Sequence, residues 1–87
     1  MIYTLLWKPA VERRIAEIWM EAANRQAVAD AANAIDRALR FRPSDVGESR
    51  DASTRVLIEE PLVIVYEVRE ADRLVQVLDV RCVPKRD

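Results

Sequence analysis

Eighty-seven residues, 51% of them hydrophobic and 33% charged, suffice for one domain with a single modest core and exclude a second. Fourteen basic residues against 15 acidic ones leave no basic excess for gripping a nucleic-acid backbone, and the stretch 46–87 is the more acidic part. With no histidine and one cysteine, the usual zinc sets and an internal disulfide are excluded, and no metal or other cofactor is expected.

No apolar run approaches the roughly 20 residues of a membrane span, and the N-terminus lacks a leader pattern, so a cytoplasmic protein without a membrane partner is expected. Ile2 to Trp7, with its aromatic and β-branched content, predicts a first strand. Pro9 suits the first turn of a helix, where its missing N–H costs nothing. Val11, Ile15, Ile18 and Ala22 then recur at spacings of four, three and four with Trp19 beside them. This stripe predicts an amphipathic helix over about 9–23. Asn24 is placed to cap a second helix over about 25–41, whose stripe is Val28, Ala31, Ile35 and Leu39 and whose many alanines favour helix and close approach. The short connection predicts an antiparallel hairpin, and Pro43 ends the second helix.

Residues 42–53 form the one long irregular stretch and contain the only glycine, Gly47. Loops of this length either carry function or simply link the two halves. Thr54 to Glu59 predicts a strand, Glu60-Pro61 a turn, and Leu62 to Arg69 the central strand, strongly β-branched and flanked on both faces. On it Leu62, Ile64, Tyr66 and Val68 share one side, with Val63, Val65, Glu67 and Arg69 on the other. Glu70 to Asp72 is a tight turn, and 73–83 is the last strand, in whose apolar pattern Cys82 reads as an inert core thiol. The expected core is Leu6, Ile15, Ile18, Val28, Ile35, Leu39, Leu62, Ile64, Leu78 and Val80. Consecutive strands with short connections pair antiparallel. The order β-α-α-β-β-β is therefore an α+β, two-layer fold, with the helix hairpin packed on one face of a mainly antiparallel sheet.

An opening strand ending in Trp7 before Pro9-Ala10, a helix pair leading to Pro43 and a loop with Gly47, and the run Pro61 to Val68 leading into Val75 to Val80 together resemble the RelE/ParE superfamily of bacterial type II toxins, also labelled plasmid-stabilisation proteins. The resemblance covers nearly the whole chain. It implies a toxin neutralised by a cognate antitoxin, acting by protein binding like the ParE branch, with DNA gyrase as target. The alternatives are a RelE-like endoribonuclease that cuts messenger RNA on the ribosome, and a non-toxic protein with the family fold. Ribonuclease members place an arginine on the central strand shortly before the tyrosine, where this chain has Val63 or Ile64. They also often end in histidine or tyrosine, where it reads Val83-Pro84-Lys85-Arg86-Asp87.

What remains for catalysis is Glu48 or Arg50 in the loop, Arg55 and Arg81 on strands, and Lys85 and Arg86 beyond. Glu48 as proton acceptor and an arginine as cation would serve cleavage by a 2′-hydroxyl if Arg55 and Arg81 met near one end of the sheet. The same arginines would otherwise pair with Glu59, Glu60, Glu67 and Asp79 across strands. The sheet face left open by a single helical layer is expected to carry Val63, Val65, Val75, Val77 and Val83 among Glu67, Arg69, Asp79 and Arg81. Such an apolar patch rimmed by charge suits an amphipathic segment of the antitoxin, or a second copy of the chain in a homodimer, unless the tail or the long loop covers it.

Overall fold

A computed structural model describes residues 2–83. Its elements are β1 (Thr4–Trp7), α1 (Pro9–Glu21), α2 (Arg25–Phe41), β2 (Glu48–Ser49), β3 (Thr54–Glu59), β4 (Leu62–Arg69) and β5 (Leu74–Cys82), with one 3₁₀ turn at Glu70–Asp72. The strands form one sheet in the order β1-β5-β4-β3-β2. All neighbours pair antiparallel except β1, which lies parallel to β5. The expected two-layer α+β arrangement is thus the observed one, with a two-residue strand added inside the long loop. None of the described helices is long and apolar enough to cross a membrane.

Local chemistry sets the helix limits. Pro9 opens α1, and the Asn24 side chain accepts a hydrogen bond from the Ala27 backbone N–H at 3.1 Å to cap α2. Between them Arg25 donates to the Met20 carbonyl at 3.0 Å and stacks 4.8 Å from the centre of the Trp19 ring, fastening the end of α1 to the start of α2. The stripes then bury as the spacing requires: Val11 and Ile18 from α1, and Val28, Ala31, Ile35 and Leu39 from α2. They meet Leu62, Ile64 and Tyr66 of β4, all at 0% exposure, with Leu5 of β1 and Val75, Val77 and Val80 of β5.

Four expected core or interior positions shift, among them Ile15, which is half-buried against the core rather than within it. Leu5 rather than Leu6 faces the helices, because Leu5 pairs with buried Val75; Leu6 lies on the opposite side and is exposed. Leu78 is only half-buried because it sits at a register shift between β4 and β5. Cys82, expected in the core, is exposed at the end of β5.

A polar clamp closes the other end of the sheet. The hydroxyls of Tyr3 (2.7 Å) and Ser44 both donate to the Glu70 carboxylate, and Arg73 lies over the Tyr3 ring. This joins the start of the chain, the loop after α2 and the β4–β5 turn. The Ser44 hydrogen bond first, and that of Tyr3 next, hold the Glu70 carboxyl below its ordinary range. A carboxylate with a lowered native pKa stabilises fully above the ordinary carboxylate range, and that contribution is lost as pH falls through the native pKa. Glu70→Gln is therefore expected to flatten the acid-side fall of the melting temperature, measured by circular dichroism. In the core, Ile64→Ala is expected to cost about 2–5 kcal/mol in denaturant unfolding.

Candidate functional site

The sequence-predicted site residues divide between the two faces of the sheet. Pairing fixes the division: Arg55 is opposite Tyr66, whose side chain faces the helices, whereas Arg81 is opposite Val63 on the other face. Arg55 and Arg81 therefore do not converge, and the acid–base set expected around them is not assembled. Lys85 and Arg86 lie outside the described residues.

Arg55 belongs to a loop anchor. Its Nε donates to the Val46 carbonyl at 3.0 Å and its Nη2 to the Gly47 carbonyl at 3.1 Å. Beside it the Tyr66 hydroxyl lies 2.8 Å from both the Pro43 and Val46 carbonyls, so its one proton serves two acceptors. Burial pushes the Tyr66 hydroxyl above its ordinary pKa and Arg55 draws it partly back, which leaves the hydroxyl a donor at neutral pH. Gly47 has φ +72°, and a Cβ there would lie 2.6 Å from the Val56 carbonyl oxygen and 3.0 Å from the Tyr66 hydroxyl oxygen. Only glycine lets the loop approach so closely. Arg50 is exposed just beyond, its backbone N–H donating to the Thr54 carbonyl at 2.8 Å.

The open face carries a different set. One row crosses four strands as Glu48, Val56, Val65 and Asp79, and the next holds Ile58, Val63 and Arg81. Leu6 stands beyond, opposite Gln76. Ile58 is 65% and Leu6 45% exposed, large apolar side chains with little cover. Charged pairs rim them: Arg81 lies 3.5 Å from Asp79 and Arg69 3.0 Å from Glu67. Such exposed pairs contribute little to stability.

Val63 and Val65 take their expected places on this face, but Val75 and Val77 do not. Both are fully buried on the helix side. The cause is the register shift: Val65 pairs with Asp79 and Tyr66 with Val77, so Leu78 is the extra residue of a bulge and the alternation of β5 changes phase there. Val56, Ile58 and Leu6 supply the apolar surface instead. Strand alternation on β3 was the signal for Val56 and Ile58, and the adjacent apolar pair Val77-Leu78 was the signal for the phase change.

The anchor and the open face separate in mutagenesis. Tyr66→Phe removes this donor from the buried Pro43 carbonyl, while the Val46 carbonyl keeps that of Arg55, and is expected to cost about 1–3 kcal/mol. Gly47→Ala, strained by its positive φ and the close Val56 carbonyl, should be at least as damaging in urea unfolding.

No sequence family and no characterised protein matches the chain by sequence. Solved structures match it by fold. One is the RelBE2 toxin–antitoxin complex of Mycobacterium tuberculosis, with a TM-score of 0.76 at 16% identity over 94% of this chain and 92% of that one. A second is the isolated RelE toxin of E. coli, with a TM-score of 0.67 at 12% identity over 98% and 88%. A third is the chromosomal ParDE system of P. aeruginosa, with a TM-score of 0.67 at 18% identity over 95% and 98%. At these identities the likeness is one of fold: the chain has the fold of the RelE/ParE toxins.

Proposed function

We propose that this chain is the toxin of a type II toxin–antitoxin pair, that it acts ParE-like by binding a protein, DNA gyrase being the target that this branch suggests, and that a cognate antitoxin neutralises it. The fold shared with chains from the RelBE2 complex and the ParDE system supports the toxin class. The observation that favours binding over RNA cleavage is the fate of Arg55. Its Nε and Nη2 donate to loop carbonyls on the helix side of the sheet, away from Glu48 and Arg81. A general base and a cation must both reach one scissile phosphate, and of the two strand arginines Arg55 lies on the opposite face from Glu48 while Arg81, on the same face, is three strands away from it.

The open face is then the contact surface. Ile58, Val63, Val65 and Val56 form its apolar centre, and Glu48, Arg50 and Arg81 give polar recognition at its rim, the arrangement common to protein interfaces. An amphipathic segment of the antitoxin covers it in the neutralised complex, and a second copy of the chain is the alternative occupant when the antitoxin is missing.

Induced expression in a bacterial host is expected to stop growth with altered DNA supercoiling and without mapped messenger RNA cuts. Translation arrest with discrete cuts would overturn the reading in favour of the ribonuclease. Ile58→Asp combined with Val65→Thr should weaken antitoxin binding by about 100-fold or more in calorimetry, as loss of interface-centre residues does, while leaving the melting temperature nearly unchanged because Ile58 is already exposed. Unchanged affinity in the folded variant would remove this face as the interface.

A further inference from the structure

On the other layer, between the facing sides of α1 and α2 and above the end of β1, lies a crevice of about 350 Å³. Trp7, Ile15 and Ala32 give it apolar walls, all three half-buried against the core, while Glu12, Asn33 and Asp36 supply its polar groups. Its two carboxylates are incompletely paired. Arg40 engages only Oδ2 of Asp36, at 3.0 Å, and among the described residues no ion pair involves Glu12.

The aromatic residues of the chain sharpen the contrast. Trp19 is stacked by Arg25 at 4.8 Å and Tyr3 by Arg73 at 5.6 Å, so each has a guanidinium of its own. Trp7 has none among the described residues, yet it is the aromatic placed beside two carboxylates in an open crevice. An indole next to carboxylates attracts a cation by its ring quadrupole and by charge at once. The planar guanidinium suits the place best, because it stacks on an aromatic surface while its edge donors reach carboxylate oxygens.

We infer that the Trp7–Glu12–Asp36 crevice is a docking site for an arginine side chain of a partner polypeptide. It lies on the helical layer, away from the open sheet face, and stands whether or not the reading of that face holds. A partner using it presents one basic residue between small neighbours, since the crevice has room for a side chain and not for a helix.

The test uses the full chain carrying Trp19→Phe, so that the indole N–H resonance and fluorescence report Trp7 alone. The probe is the peptide acetyl-Gly-Arg-Gly-amide, compared with its citrulline counterpart, which keeps shape and hydrogen bonding but lacks charge. A saturable shift of the Trp7 indole signal is expected with the arginine peptide, about tenfold weaker with citrulline. A similar loss is expected for the arginine peptide with Glu12→Gln/Asp36→Asn. Equal binding of the two peptides to the unsubstituted crevice, or no shift at all, overturns the inference without any need for the variant. Equal binding of tetramethylammonium chloride at the same concentration also overturns it, since the crevice would then take free cations rather than a side chain.

Discussion

One helical layer can dry only one face of a sheet, and strand β4 is where that asymmetry is enforced. Leu62, Ile64 and Tyr66 are entirely buried beneath the helices, while Val63, Val65 and Glu67 between them are only half-buried. Register is strongly fixed in such a strand, because a slip of one residue would exchange the two sets and expose the core. The placement of every other strand follows from pairing with it, directly for β3 and β5, through β5 for β1 and through β3 for β2. Whether a side chain is structural or available therefore reduces largely to which face it occupies.

That division explains why residues of the same type have different fates. Arg55, on the helix side, is drawn into the loop that follows α2 and satisfies carbonyls that would otherwise be left partly unpaired near the sheet edge. Arg81, on the far side, is exposed and among the described residues pairs with Asp79 of its own strand. The loop itself depends on this anchoring. Gly47 passes close enough to Val56 and Tyr66 that a side chain would not fit, so the segment from Pro43 to Gly47 is seated against the sheet rather than draped over it. It consequently leaves the open face uncovered, apart from Glu48 at its margin.

The open sheet face and the crevice between the helices differ in kind. The sheet face is broad and apolar with charge at its edge, a form that gains affinity by removing large side chains such as Ile58 from water. The crevice beside Trp7 is small and carries two carboxylates, so the recognition inferred for it is electrostatic and salt-dependent.

Much of the fold was legible in the chain because its signals are local. The four, three, four spacing of α1, the Asn24 cap, Pro9 and Pro43, and the alternation of Leu62 to Val68 each report a backbone preference or a periodic face, and each element formed within a few residues of its expected limits. The tertiary structure alone decided the phase of β5 and the identity of the face each residue serves. A bulge at Leu78 reverses the alternation midway, moving Val75 and Val77 into the core. The parallel register of β1 puts Leu5 inward and Leu6 outward, and the loop claims Arg55. These outcomes depend on which strand lies beside which and in what register. That is set by closing one core beneath two helices, a long-range condition that no short window of sequence contains.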